Sequence, residues 1–513
     1  RARACAVRLR KHGIASGDRV LLSGANHPDW VVAWFGVQYA GAIVVPVETG
    51  LSGTQVENIA KASGMKAAIV DAEARGFFGG VLEDSFDLHA ITAKGASEGL
   101  EIPELSGDEV ASILYTSGTT GSPKGVMLTH ANFLAMIASL AKIFPLNEED
   151  RLLSVLPLHH TFEFSCGLLL PLSRGARVVY LDEVNGDRLT HGLKVGKITC
   201  MAGVPALWQL LERKIRAQVD DRGPVAKVGF DMGLEVNRIV GKSTGLDVGR
   251  VFFGQVHERL GGNIRLLISG GSALPKSTQK LFAGLGLHLA EGYGLTESSP
   301  VLTVAKGYPG AKIGHVGKPV PGVEVKILDA NSEGVGEVLA RGPNVMKGYF
   351  EDATATGQVL DADGWLSTGD LGRLDHSGRL SIVGRAKDVV VTSSGENIYL
   401  DDAEATLGEI DFVQEYSLVG VEDPRGGERL GMLVVPGSDR ESDRTVVWSR
   451  AKETVREAIS KLPVGGRPTV VQYVDADLPR TSTRKVKRKE VRVILERFAK
   501  ASQSPASGEE RAA

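Results

Sequence analysis

Short apolar, β-branched runs alternate with helical patterns along most of this chain, and that alternation constrains the fold more than any other feature. Strand-like runs stand at Arg19–Leu22, Ile43–Val45, Ala67–Val70, Ser112–Tyr115, Arg177–Tyr180 and Ile264–Ser269. Between them lie helical patterns such as Pro28–Tyr39, Ala131–Phe144 and Pro205–Ile215. Strands and helices in turn predict an α/β fold on a parallel sheet. No repeat of fixed period is present.

The pattern changes near residue 315. From there to about 384 the apolar runs Val323–Leu328, Gly336–Ala340 and Arg379–Ile382 are punctuated by glycine and proline, which predicts a small β-barrel-like or antiparallel part. Beyond Gly384 comes an α+β mixture, with strands at Asp388–Thr392, Ser417–Val421, Met432–Val435 and Thr469–Val474 and helices at Asp401–Leu407 and Thr445–Lys461. The expected organisation is a large N-terminal domain over 1–384, a hinge at 385–388, a smaller C-terminal domain over 386–500, and a disordered tail over 501–513. The chain opens on Arg1, in a basic stretch that reads as a surface helix of a domain whose start is missing.

Composition narrows the class. Apolar residues make up 42% and charged residues 24% of the 513, so the chain is globular and not disordered. A net charge of −3 gives no overall field for nucleic acid. Three widely spaced cysteines, Cys5, Cys166 and Cys200, argue against a disulfide framework or a thiolate zinc site and favour a reducing, cytoplasmic compartment. The best membrane-spanning candidate is Trp30–Val47, but Gln38, Gly41 and Pro46 break it into a buried helix and a short strand.

The strongest chemical signal is Tyr115-Thr-Ser-Gly-Thr-Thr-Gly-Ser-Pro-Lys124-Gly125. An apolar strand runs into hydroxyls, glycines and a lysine, a composition that can offer N–H groups, hydroxyls and an ammonium to a polyphosphate. It is not a Walker A loop, because Pro123 precedes Lys124 and no hydroxyl follows it. Gly241-Lys-Ser243-Thr-Gly245 matches the end of a Walker A loop and a nucleophile elbow only by chance. In Gly292-Tyr-Gly-Leu-Thr296-Glu297 the carboxylate can hold a hard cation and Thr296 can support a phosphate. Asp370, in Ser367-Thr-Gly-Asp370, can accept from vicinal hydroxyls, and Arg385 lies at the expected hinge. His159 and His160 sit in an apolar stretch, where His160 either touches a carboxylate or is a satisfied core histidine. Seven basic residues and one acid between Arg480 and Arg492 form a solvated face, or deliver a single lysine to a site. Without interleaved aromatics they do not suggest nucleic-acid binding.

These segments, in this order over residues 115–490, resemble the adenylate-forming enzymes, the superfamily of acyl-CoA synthetases, beetle luciferases and peptide-synthetase adenylation domains. Val204-Pro-Ala-Leu-Trp208 and the long insertion after it are similar to the long-chain fatty acyl-CoA synthetases. The resemblance implies a two-step reaction. A fatty acid and ATP give acyl-AMP and pyrophosphate, and the thiol of coenzyme A then takes the acyl group and releases AMP. The small C-terminal domain rotates between the steps. Thr116, Ser117, Gly118, Thr119, Thr120, Gly121 and Lys124 would hold the β- and γ-phosphates, and Glu297 would hold Mg²⁺ with Thr296 near the α-phosphate. Gly271 with Glu291, Gly292, Tyr293 and Gly294 would line the adenine, and Asp370 and Arg385 the ribose. Lys485 would bridge the acyl carboxylate and the α-phosphate. His160 would lie beside that carboxylate, Trp208 at the mouth of a fatty-acid tunnel, Lys387 at the hinge, and Gly395 near coenzyme A.

One departure stands out. The family usually has glycine just before the catalytic lysine, where this chain has Arg484, and Lys487 is the nearby alternative. A carrier-protein thiol is the alternative acceptor, and an idle nucleotide- or lipid-binding protein the alternative of another class. A fatty-acid substrate is compatible with peripheral membrane contact, although the sequence carries no anchor. The oligomeric state is not legible.

Overall fold

The computed structural model describes residues 1–78, 85–116, 123–181, 185–308, 311–391, 397–423, 428–437, 444–462, 466–480 and 486–501. The chain divides into two compact units. The first comprises Arg1–Gly271, Gln279–Lys326 and Leu339–Thr368, and the second comprises Ser272–Thr278, Ile327–Val338 and the chain from Gly369 onward.

Two seven-stranded sheets build the first unit. One runs in the order Gly348–Tyr349, Lys124–Thr129, Val110–Thr116, Ile43–Pro46, Arg19–Ser23, Ala67–Val70, Ser85–Asp87. The other runs Lys318–Pro319, Val301–Ala305, Leu289–Gly294, Leu266–Ser269, Cys200–Gly203, Arg151–Ser154, Arg177–Tyr180. Both have a parallel body, as the alternation predicts. Both also carry an antiparallel edge that it does not predict. In the first sheet this edge begins with the hairpin Val110–Thr116 and Lys124–Thr129. Such an edge needs only a short connection, whereas each parallel step needs a helical crossover.

Local signals set these elements. Helix Pro28–Tyr39 starts on Pro28 behind His27, whose ring accepts from the Asp29 N–H, and it stops before Gly41 at φ +78°. The chain then enters strand Ile43–Pro46, so the Trp30–Val47 stretch is a helix and a strand. Among the described residues no helix is long and apolar enough to cross a membrane. Trp30 and Trp34 on that helix pack with Phe164 of the helical segment Glu163–Leu169, and Trp34 also with Phe133 of helix His130–Ile143, at ring separations of 4.7 to 6.4 Å, binding helix to helix. The Gly241–Gly245 stretch is the C-terminal end of helix Pro224–Thr244, with Gly245 as its left-handed cap, so neither rival motif has its required setting.

The second unit carries the hairpin Leu366–Leu374 and Leu380–Arg385, from Gly369 on, and a three-stranded sheet ordered Val413–Glu422, Glu428–Pro436, Val470–Tyr473. Alternate residues of that sheet face opposite layers. Leu418, Met432 and Val434 pack with Leu407 and Val455, while Val419, Leu433 and Val435 pack with Val491 and Leu495. Arg488 on the last helix, Arg488–Ala501, reaches Asp401 at 2.5 Å, Glu404 at 2.7 Å and Asp388 at 3.7 Å. A guanidinium this enclosed is sustained by several acids at once.

Candidate active site

In the first unit the hairpin places Thr116 directly opposite Lys124, so the ends of the intervening segment lie side by side. Ser117, Gly118, Thr119, Thr120 and Gly121 fall outside the described residues. The Lys124 ammonium sits 4.9 Å from the centre of the Tyr349 ring, a cation–π contact. Tyr349 gets there because Gly348–Tyr349 adds to the same sheet beside Val126 and Met127. Its hydroxyl donates to Glu297 Oε1 at 2.9 Å. Burial first, and then the Glu297 charge, push the Tyr349 phenol above its ordinary pKa, so it stays a donor.

Glu297 follows Thr296 in the short turn Thr296–Ser298, after strand Leu289–Gly294. The turn is tied down on several sides. The Met346 N–H donates to the Glu297 carbonyl at 2.8 Å, and Asn344 Nδ2 donates to the carbonyls of Ser298 at 2.8 Å and Val301 at 3.0 Å. Ser299 closes it with φ +63°, a conformation unfavourable for an L-residue that these contacts hold in place. The Glu297 carboxylate is a hard oxygen donor of the kind Mg²⁺ takes, and its second oxygen is not the one Tyr349 bonds.

The other expected nucleotide-contacting residues of this unit lie on neighbouring strand ends. Glu291, Gly292, Tyr293 and Gly294 belong to strand Leu289–Gly294, and Gly271 follows Leu266–Ser269 with φ +86°. Glu291 is buried and accepts from Gln279 Nε2 at 2.6 Å. At Gly294 a Cβ would collide with the Pro300 carbonyl, so the strand can pass there only as glycine.

His159 and His160 lie with ring centres 4.2 Å apart. Burial pushes His160 down to about 4, and burial with its neighbour holds His159 well below the usual histidine range, so both rings are neutral near pH 7. His160 also starts a helical turn, since the Phe164 N–H donates to its carbonyl at 2.9 Å. That turn leads into the π-helical segment Glu163–Leu169. Trp208, near the start of helix Pro205–Asp220, is fully enclosed and meets Phe282 edge-on at 5.9 Å. Its indole N–H has no hydrogen-bond partner among the described residues.

In the second unit Asp370 and Arg385 are cross-strand partners, with Arg385 Nε 3.3 Å from Asp370 Oδ1. Asp370 is buried and Arg385 exposed, which leaves a carboxylate and a guanidinium side by side on one hairpin. Lys387 lies in the short turn Ala386–Asp388 directly after it. Gly395 is outside the described residues. So is Lys485, whose segment has its ends drawn together by the Arg480–Val486 bridge and by the Lys487 N–H donating to the Pro479 carbonyl at 2.8 Å.

Sequence reasoning missed Tyr349, Asn344 and Glu163. Tyr349 and Asn344 act on a turn about fifty residues away, a relation that no local pattern encodes. Glu163 sat in plain view after the two histidines, but nothing in the sequence marks its turn as π-helical. His27, Asp29 and His89 cluster within 4.8 Å, the one such group among the described residues that could hold a metal. Their polar atoms already serve each other: Asp29 pairs with His89 at 2.7 Å and with Arg1, and His27 caps the helix.

Comparison with known proteins accords with this geometry. A family profile described as AMP-binding enzyme matches residues 1–350. The chain is 29% identical over 508 residues to a feruloyl-CoA synthase of Amycolatopsis sp, covering 94% of this chain and 90% of that protein. It is 29% identical over 558 residues to the long-chain-fatty-acid–CoA ligase FadD15 of Mycobacterium bovis, covering 97% and 89%. The solved structure of O-succinylbenzoate coenzyme A synthetase from Bacillus subtilis, in complex with ATP and magnesium ion, matches with a TM-score of 0.74 at 25% identity, covering 95% of this chain and 92% of that one.

Proposed function

The chain belongs to the AMP-binding enzyme family, and from that premise we propose that it activates a long-chain fatty acid with ATP and transfers the acyl group to coenzyme A. The observation that carries the reading is the linked set Thr116, Lys124, Tyr349 and Glu297, in which an ammonium and a carboxylate share one phenol beside a hydroxyl- and glycine-rich segment. An ammonium for phosphate oxygens next to a carboxylate for a cation is the pair that a metal-bound polyphosphate requires.

In the first step a carboxylate oxygen of the acid attacks the α-phosphorus, and the bond to pyrophosphate breaks. Lys124 and Thr116 hold the departing phosphates, and Lys485 meets the charge that builds between the acid and the α-phosphate. Mg²⁺, when bound, supplies neutralising charge to the polyphosphate, with Glu297 as its holder and Thr296 near the α-phosphate. Tyr349 fixes the Glu297 carboxylate by its hydrogen bond and Lys124 by its ring, so both are set before substrate arrives. Asp370 and Arg385 take the ribose hydroxyls, and Gly271 with Glu291–Gly294 takes the adenine. In the second step the coenzyme A sulfur attacks the acyl carbonyl, the C–O bond to AMP breaks, and AMP leaves; Gly395 lies at the coenzyme A side and Lys387 at the hinge. His160 stays neutral beside the acyl carboxylate, which keeps an apolar path for the chain.

The fatty-acid assignment draws support from the Val204–Trp208 segment and from the likeness to a long-chain-fatty-acid–CoA ligase over 97% of the chain. An indole with no hydrogen bond is held by packing alone, so Trp208 can turn aside without breaking a polar contact. The three cysteines are buried and unpaired, which supports a reducing, cytoplasmic setting. The test is AMP release with ATP and Mg²⁺ over acids from short to very long chain, with feruloyl and other bulky acids alongside. Turnover highest on long chains and dependent on coenzyme A is the expected result; turnover confined to aromatic or ring acids would overturn the fatty-acid part.

A further inference from the structure

Asn26 ties a strand end of one seven-stranded sheet to a strand end of the other. It lies between strand Arg19–Ser23 and helix Pro28–Tyr39, 130 residues before Leu156, yet its side chain reaches the turn that follows strand Arg151–Ser154. Its Nδ2 donates to the Leu156 carbonyl at 2.6 Å and to Ser154 Oγ at 3.2 Å, and its Oδ1 accepts from the Leu158 N–H at 2.9 Å. That carbonyl and that N–H belong to the residues flanking Pro157, so one planar amide clamps Pro157 from both sides. The Pro157 carbonyl in turn accepts from the His160 N–H at 3.1 Å. Asn26 is itself fixed, because the Ala25 N–H before it donates to the buried Asp71 carboxylate at 2.7 Å and helix Pro28–Tyr39 starts shortly after it.

We propose that Asn26 is a positioning residue for the acid substrate, acting through His160; this rests on the reading above that the His160 ring lies beside the acyl carboxylate. The place of the clamp is the first support. The clamped turn leaves the carboxyl end of a parallel strand, and in the same sheet Gly271 follows strand Leu266–Ser269 and Glu291–Gly294 closes strand Leu289–Gly294. Ligands of open α/β sheets bind in the crevice outside such strand ends. The second support is that satisfying the two backbone groups does not require Asn26. The site is only half-buried, so water could bond the Leu156 carbonyl and the Leu158 N–H almost as well. What water does not supply is a fixed place relative to the first sheet. Displacing a substrate-contacting group by about 1 Å can cost on the order of a hundredfold in rate, so a fixed place is worth more to the reaction than to the fold. Aspartate has the same shape and still accepts from the Leu158 N–H, but it sets an oxygen against the Leu156 carbonyl where Nδ2 donates, and two acceptors at that distance push the turn away.

The test is a double-mutant cycle on the full chain, read by AMP release with ATP, Mg²⁺ and coenzyme A over a range of palmitate, or of whichever acid the parent turns over fastest. Asn26→Asp should lower kcat/KM for the acid by roughly tenfold to a hundredfold, while KM for ATP stays within about twofold of the parent. In a His160→Ala background the same substitution should change kcat/KM for the acid by less than about twofold, because the ring through which it acts is gone. An amide that only supports the fold would cost the same in both backgrounds. Asn26→Ala goes through the same cycle, and urea unfolding of each variant identifies any that does not fold. A loss undiminished in His160→Ala, a KM for ATP that rises with that for the acid, or no loss in either Asn26 variant would overturn the proposal. His160→Ala at the parental rate would overturn it by removing the contact between ring and acid. A parent that releases no AMP with any acid would overturn the proposed activity itself, and the positioning with it.

Discussion

Replacing Glu163 with glutamine should make the protein's stability less sensitive to pH, in a window set by one buried proton. The Glu163 side chain is wholly enclosed in the π-helical segment Glu163–Leu169, and neither carboxyl oxygen makes a well-formed hydrogen bond among the described residues. Room for it exists because position 167 is glycine; a Cβ there would overlap the carboxyl. Burial pushes its pKa from 4.5 up to about 8, partly countered by Ser154 and the Leu156 backbone alongside. The folded chain then keeps a proton that the unfolded chain releases, so this group's contribution is full below about pH 4.5 and is lost as pH rises through about 8. Between about pH 6.5 and 8 the loss amounts to about 1.6 kcal/mol. Glutamine has the same shape and cannot ionise, so the variant should gain that amount on the parent over the same interval. The assay is urea unfolding of both proteins at the two pH values, followed by tryptophan fluorescence, since Trp30, Trp34, Trp208 and Trp365 all lie in the unit that carries Glu163. Taking the difference between the proteins cancels every other titration, including that of His160. A difference that does not change with pH would mean that Glu163 does not keep its proton in the folded chain.

The remaining expectations concern the site. Tyr349→Phe keeps the ring under Lys124 and removes the bond to Glu297, so ATP-dependent turnover should fall roughly tenfold or more, whereas Tyr349→Ala should cost more because it removes both; equal loss in the two would mean the hydroxyl does nothing. Lys485→Ala should slow acyl-AMP formation by roughly a hundredfold or more while sparing thioester formation from supplied acyl-AMP, and equal loss of both steps would remove Lys485 from its role. Trp208→Ala should destabilise the fold by roughly 3–5 kcal/mol, and Trp208→Phe, which keeps most of the packing on Phe282, should shift chain-length preference; a change in ATP affinity alone would contradict the tunnel assignment.

Much of this architecture was legible in the sequence because its signals are local. Strand Ala67–Val70, strand Arg177–Tyr180 and helix Pro28–Tyr39 were bounded correctly to the residue, since β-branched runs, a proline start and a glycine stop act within a few residues. The antiparallel edges were not legible, because pairing direction depends on which strands meet in space. Helix Pro224–Thr244 escaped notice because its exposed apolar residues and three glycines mask an ordinary amphipathic pattern. At the candidate site, Thr116, Lys124 and Glu297 stand out by motif; Asp370 is expected in a Gly-flanked turn and Arg385 at the hinge, whereas the two lie opposite each other on paired strands, a relation no local pattern encodes. Tyr349 and Asn344 do not stand out, because their importance lies in reaching a turn far away in the chain.

The proposed activity consumes an acid, ATP and coenzyme A together. The most direct test measures AMP release with ATP and Mg²⁺ across fatty acids of increasing length, with and without coenzyme A. Repeated turnover that requires coenzyme A and peaks on long chains is the predicted result. A single stoichiometric burst unaffected by coenzyme A would instead assign the acyl group to a carrier-protein thiol, and no AMP with any acid would contradict the account.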